Sequence, residues 1–166
     1  MSDDSIRLKV MVVDDTAINL ELMNKILSDD YDVQLVNSGS KAIELAEASP
    51  PDLILLDIVM PEPDGFEVCR HLKDNPKTSH VPIIFITAKN EIEDEKLGFE
   101  LGASDFLHKP VSAPILAARV KTHLRIKLMV DFFEMESSFL QEQVSQHSVE
   151  LEQLKDFIWP AAHSKH

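Results

Sequence analysis

Short apolar runs alternate with longer amphipathic stretches along the first two thirds of the chain. Lys9–Val13, Asp32–Val36, Leu53–Leu56, Val81–Ile86 and Asp105–His108 are the runs, rich in β-branched and aliphatic residues and bounded by turn residues. Runs of this kind predict strands, the most apolar of them buried on both faces. Between them, apolar residues recur at helical spacing and predict helices over Ala17–Leu27, Ser40–Ala48, about Phe66–Lys73, and Glu91–Leu101. Asp15 or Thr16 suits the cap of the first helix, Pro50-Pro51 closes the second, and Gly102 stops the fourth. The segment Val59-Met60-Pro61-Glu62-Pro63-Asp64-Gly65 reads as a loop that cannot prolong the third strand, and Pro82 is tolerable near the start of the fourth.

Five strand-helix repeats joined by right-handed crossovers predict an α/β fold: a doubly wound, five-stranded parallel sheet with helices on both faces. In such a sheet the carboxyl ends of the strands share one edge, where ligands bind. The runs end in reactive residues: Asp14 and Asp15 after the first, Asp57 after the third, Thr87 after the fourth, Lys109-Pro110 after the fifth. Each alone has a bland reading, as a solvated turn, a local hydrogen bonder or a loop. Together they place three carboxylates, a hydroxyl and an ammonium in one crevice, a set that suits Mg²⁺ and a phosphoryl group.

After Ser112, a candidate helix cap, no Pro or Gly interrupts the chain from Ile115 to Trp159. The positions Ile126, Val130, Phe133, Ser137, Leu140, Val144, His147, Leu151, Leu154 and Ile158 alternate spacings of four and three, and only Ser137 and His147 are polar. That is a coiled-coil seam, and it predicts a parallel homodimer. Glu150 and Lys155 can pair between parallel helices, Glu134 and Glu136 find no such match, and His147 would make the seam sensitive to pH. The other reading, an amphipathic helix folded back on its own domain, fits less well, because a globular core asks for a wider stripe. The organisation expected is a domain over 1–124, a helical extension over 125–159 and a tail over 160–166.

Composition narrows the picture. A chain of 166 residues holds one ordinary domain and an appendage, and 44% hydrophobic residues argue against disorder throughout. A net charge of -13 disfavours nucleic acid and anionic membrane as partners. The single cysteine, Cys69, can form no internal disulfide, the start Met1-Ser2-Asp3-Asp4-Ser5 is acidic where a signal peptide is basic, and no apolar run approaches the ~18 residues of a membrane span. A cytoplasmic protein is expected. No Gly-rich dinucleotide or nucleoside triphosphate loop is present, and the seven histidines are scattered, with His163 and His166 in the tail.

At the level of motifs the chain resembles the receiver domain of bacterial two-component response regulators. The resemblance runs from about Leu8 to Leu124, through Val12-Val13-Asp14-Asp15, Leu55-Leu56-Asp57-Ile58-Val59-Met60-Pro61, Asp64-Gly65, Ile84-Phe85-Ile86-Thr87-Ala88, Gly98-Phe99-Glu100-Leu101-Gly102-Ala103 and Phe106-Leu107-His108-Lys109-Pro110. It implies that Asp57 is the phosphoacceptor, supplied by a sensor histidine kinase or a histidine phosphotransfer protein. It implies that Asp14, Asp15, Asp57 and the carbonyl of Val59 hold Mg²⁺, that Lys109 pairs with Asp57 and then with the phosphoryl group, and that Thr87 donates its hydroxyl to that group. Phe106 stands where the family carries a switching aromatic, Val59 and Lys89 stand where it tunes phosphoryl lifetime, and Lys109-Pro110 is expected to be cis. Helical extensions of this kind often lead into cyclase, phosphodiesterase or kinase-type output domains, so the chain is either a fragment of a longer regulator or one that signals through its helix.

Two other classes compete. A haloacid-dehalogenase-type Mg²⁺-dependent phosphohydrolase also uses an Asp after a strand, but expects Asp-x-Asp where this chain has Asp57-Ile58-Val59. A dimer scaffold that is never phosphorylated could carry the same residues. The expectation is therefore a switching module and not an enzyme with a turnover of its own.

Overall fold

The computed structural model describes residues 6–158. The expectations that fall on Met1–Ser5, Trp159 and the tail 160–166 lie outside the described residues. Ten elements follow one another as β1 (Lys9–Val13), α1 (Ala17–Leu27), β2 (Asp32–Val36), α2 (Gly39–Ala48), β3 (Leu53–Leu56), α3 (Gly65–Asp74), β4 (Ile83–Thr87), α4 (Ile92–Glu100), β5 (Asp105–His108) and α5 (Ala113–Ile158). The strands form one parallel sheet in the order β2-β1-β3-β4-β5. This is the doubly wound α/β architecture that the alternating pattern predicts.

Strand periodicity divides the core in two. Met11, Val13, Ile54, Leu56, Ile83 and Phe85 point to one face, where they pack with Ala42, Ala46, Val68, Cys69 and Leu72 of α2 and α3. Val10, Val12, Leu53, Leu55, Ile84 and Ile86 point to the other, against Leu20, Met23 and Leu27 of α1 and Leu116, Val120 and Leu124 of α5. Successive strand residues alternate between the two clusters, so a shift of one residue in any register would exchange whole sets of contacts. Cys69 is fully buried, and burial pushes its thiol up to about 11.

Helix ends show why the chain turns where it does. Asp64 caps α3 in a capping box: its carboxylate accepts from the Glu67 N–H at 2.9 Å, and the Glu67 side chain accepts from the Asp64 N–H at 2.8 Å. At the end of α4 the N–H groups of Gly102 and Ala103 donate back to the carbonyls of Phe99 and Gly98, and Gly102 has φ of 101°, a left-handed conformation suited to glycine. The Asp105 carboxylate ties β5 to α5. It accepts from the Phe106 N–H at 2.8 Å and lies 2.9 Å from His123 Nε2 and 3.1 Å from Arg119. Burial opposes its ionisation, but these three neighbours together hold the carboxyl below the usual carboxylate range.

Contacts divide the chain after Lys127 into two compact units. In the second, the helix carries Val130, Phe133, Leu140, Val144, Leu151, Leu154 and Ile158 as exposed side chains, together with Leu128, Met129, Phe132, Met135, Phe139, Val149 and Phe157. No helix among the described residues is long and apolar enough to cross a membrane.

Candidate functional site

Asp14, Asp57 and Lys109 each stand one step past a strand end and remain bonded to the neighbouring strand. The Asp14 N–H donates to the Val36 carbonyl at 3.1 Å, the Asp57 N–H to the Val13 carbonyl at 2.9 Å, and the Lys109 N–H to the Thr87 carbonyl at 2.9 Å. The sheet thereby sets their backbones before any side-chain contact forms. Asp14 and Asp57 are 4% and 5% exposed, while Asp15 is open to solvent. One carboxylate oxygen from each of the three lies within 4.8 Å of the others.

The Lys109 ammonium bridges the two buried acids, donating to Asp14 Oδ2 at 2.8 Å and to Asp57 Oδ2 at 3.1 Å. Asp14 also accepts from the Thr16 N–H at 2.9 Å and from the Asn19 side-chain amide at 3.1 and 3.3 Å. Asp57 has fewer donors: besides Lys109, the Val59 N–H reaches Oδ1 at 3.2 Å. Burial accordingly pushes the Asp57 carboxyl above the usual carboxylate range, and Asp14 adds to that, against the pull of Lys109. Burial works the opposite way on Lys109, yet its bonds to the two acids prevail and its ammonium is favoured. Three carboxylates to one ammonium leave an excess of negative charge in a partly dry site. Such an acidic cluster fits a small, hard divalent cation that takes oxygen ligands.

Thr87 is fully buried and is the last residue of β4, one residue further in than the apolar run implies. Its hydroxyl accepts from the Lys89 N–H at 3.2 Å. The Lys89 ammonium is occupied elsewhere, 3.4 Å from Asp94 and 5.8 Å from the centre of the Phe66 ring. The Val59 side chain is half exposed. Phe106 is buried against Phe85, with ring centres 5.6 Å apart, and neighbours His108 at 5.5 Å. Both Lys109-Pro110 and Glu62-Pro63 are cis.

Two participants escape a reading of the sequence. Asn19, on the first turns of α1, orients Asp14, and the only trace of it in the chain is an amide five residues after a carboxylate. His108 sits between α4 and the segment before it, with Nε2 2.6 Å from Glu95 and Nδ1 3.0 Å from the Lys89 carbonyl. Asn19 belongs to no motif that would single it out, and although His108 lies in the fifth run and its motif, neither indicates the contacts its ring makes.

A match to the response regulator receiver domain extends over residues 10–121. The chain belongs to the response regulator receiver family. It is 42% identical over 156 residues to a Vibrio cholerae protein named "probable cyclic di-GMP phosphodiesterase", covering 94% of this chain and 35% of that one. It is 44% identical over 124 residues to the response regulator PleD of Caulobacter vibrioides, covering 74% of this chain and 27% of that protein. The receiver domain of a signal transduction histidine kinase from Syntrophus aciditrophicus superposes with a TM-score of 0.66 at 34% identity, over 71% of this chain and 90% of that one. The chain thus spans about a third or less of the length of these two curated relatives. A receiver is a regulatory domain of two-component signalling, and its acidic cluster here is Asp14, Asp15 and Asp57.

Proposed function

We propose that the chain is a phosphorylation-controlled switch in which Asp57 accepts a phosphoryl group from a histidine of a sensor kinase or phosphotransfer protein. The observation that carries this reading is the contact of one ammonium, Lys109, with two buried carboxylates whose oxygens cluster with a third. Phosphoryl transfer asks chiefly for in-line positioning and for neutralisation of charge on the equatorial oxygens. Asp57 is positioned by its bond to β1 and by the Val59 N–H. Lys109 can leave Asp57 for a phosphoryl oxygen without leaving Asp14, because it already holds both. Asp14, Asp15, Asp57 and the Val59 carbonyl would hold Mg²⁺, whose part is to neutralise charge on the carboxylates and on the incoming oxygens.

Thr87 and Phe106 form the switch in this reading. To donate to a phosphoryl oxygen, Thr87 must turn the hydroxyl that now receives the Lys89 N–H, which draws the segment after β4 toward the site. Phe106 packs on Phe85 and beside His108, whose Nδ1 lies 3.0 Å from the Lys89 carbonyl, so a shift of that segment reaches the space its ring occupies. Val59 offers an attacking water no hydrogen bond from its side chain. Lys89, held by Asp94 and Phe66, acts on phosphoryl lifetime only if it gives up those contacts.

The receiver reading over 1–124 ends in a helix whose seam is exposed, so a parallel homodimer through α5 is the relay, leading to an output domain such as the name of the Vibrio cholerae relative suggests. Intact-mass spectrometry tests the switch: with Mg²⁺ and a small acyl phosphate the chain gains a phosphoryl group, and no gain in mass rejects the reading. Light scattering tests the relay. Replacing Leu140 and Val144 with aspartate halves the mass, and a mass that is the same in parent and variant rejects the dimer seam.

A further inference from the structure

The second unit carries more apolar surface than one seam can bury. With about 100° of rotation per residue, Leu128, Phe132, Met135 and Phe139 line up at spacings of four, three and four, roughly opposite the seam through Val130, Phe133 and Leu140. All four are 46–66% exposed. Beyond Phe139 the same line passes through Glu142, Gln146 and Gln153, interrupted by Val149 and met again by an apolar side chain at Phe157, so its unbroken apolar part ends at Phe139. The second face is therefore a patch of a few turns, while the seam runs on to Ile158. Two helices joined along the seam would leave this patch in water, and a cluster of two phenylalanines, a leucine and a methionine is costly to leave there.

The charges around the patch select what can cover it. Residues 128–154 contain no Lys or Arg, and they carry Asp131, Glu134, Glu136, Glu142, Glu150 and Glu152. Glu136 borders the patch and Glu142 closes its far end. A second copy laid against this face would set carboxylates against carboxylates, and an anionic lipid surface would be repelled in the same way. A partner helix with its own apolar stripe, flanked by lysines or arginines, meets both the shape and the charge.

We infer that Leu128, Phe132, Met135 and Phe139 form a docking face for a basic amphipathic helix of another protein. The face meets the dimer seam where the Phe132 and Phe133 rings touch, with centres 6.0 Å apart, and it uses no residue of the acidic crevice, so it stands or falls independently of the switch. Phenylalanine and methionine suit such a role, since they supply large contact areas that adapt to a partner's shape.

Fluorescence anisotropy on the full chain tests it, with a labelled synthetic helix of about four turns that carries leucines at the matching spacing and lysines beside them. Saturable binding is expected that weakens with salt and weakens roughly tenfold or more in the Phe132→Ser, Phe139→Ser double variant. A Val144→Ser, Leu151→Ser variant, altered on the seam alone, binds as the parent does. Reversal of charge with Glu136→Lys and Glu142→Lys transfers the preference to a peptide whose lysines are replaced by glutamates, an outcome that general loss of structure cannot imitate. The inference is overturned by absence of saturable binding to the parent, by equal binding of the two peptides, or by loss of binding in the seam variant. Light scattering that shows a lower mass for the Phe132→Ser, Phe139→Ser protein also overturns it, because the face would then belong to a second copy.

Discussion

With asparagine at position 57, incubation with Mg²⁺ and a small acyl phosphate is expected to leave the protein's mass unchanged, whereas the parent gains a phosphoryl group. The amide has nearly the shape of the carboxylate but no anionic oxygen with which to attack phosphorus. The fold should survive, since the backbone bond from Asp57 to Val13 does not involve the side chain and an amide oxygen can still accept from the Val59 N–H. A second readout separates a chemical effect from a structural one. Burial disfavours the ionised Asp57 in the folded protein and raises its pKa, so the group lowers stability at pH values where the unfolded chain is ionised. That penalty is absent at low pH and appears as the pH rises through the unfolded value. The variant should therefore melt above the metal-free parent at pH 7, and the gap should close as the pH falls. Melting at a lower temperature than the parent would mean that the Lys109 bond outweighs burial, and an adduct on the variant would remove Asp57 as the acceptor.

Gly65→Ala is expected to cost about 3 kcal/mol in stability, at the upper end of ordinary overpacking, and to slow adduct formation by roughly tenfold or more. A Cβ there would overlap the backbone carbonyl oxygen of Asp57 and lie 2.6 Å from the Ile58 Cα. Both obstacles are main chain, so they cannot rotate aside. Gly65 also opens α3 and donates its N–H to the Ile58 carbonyl at 3.0 Å, which leaves that end of the helix little room to retreat. The strain must therefore pass into the peptide that aims Asp57. Gly98→Ala is the control. Its Cβ would come within 3.2 Å of ring atoms of Phe85 and Phe106, which can tilt, and alanine favours a helix, so the change should stay within about 1 kcal/mol of the parent. Urea unfolding of both variants decides the matter, and equal stability of Gly65→Ala and the parent would show that the loop yields freely.

Much of the fold could be read from hydrophobic spacing because the strands of a parallel sheet are apolar on both sides. β1, β2, β3, β5 and α1 have the bounds that the pattern predicts. β4 does not, and proline explains the difference. Pro82 has no N–H for the ladder, and Val81 donates to the Thr78 carbonyl in the preceding turn, so pairing begins at Ile83 and carries through Thr87. α2 and α3 begin one residue before their expected starts, at Gly39 and Gly65, since glycine contributes nothing to an apolar pattern. The crevice was legible because its residues follow strand ends, and topology alone brings strand ends together. What escaped depends on where long side chains settle. That Lys109 leans on Asp14 as much as on Asp57, that Lys89 turns to Asp94, and that Asn19 props Asp14 are choices among several polar partners within reach.

The glycine at position 98 has one more implication. It is the buried residue of α4, where the rings of Phe85 and Phe106 abut it, and Ile92, Leu97 and Phe99 project outward. A helix that rests on flat aromatic surfaces through a bare backbone has no knob lodged in a socket. It can slide or tilt over those rings without first withdrawing an apolar side chain, and the contact of Glu95 with His108 is a polar tie at its exposed side that such a movement has to stretch. In the proposed switch, a signal as modest as one rotated hydroxyl at Thr87 then has a mechanical element light enough to move.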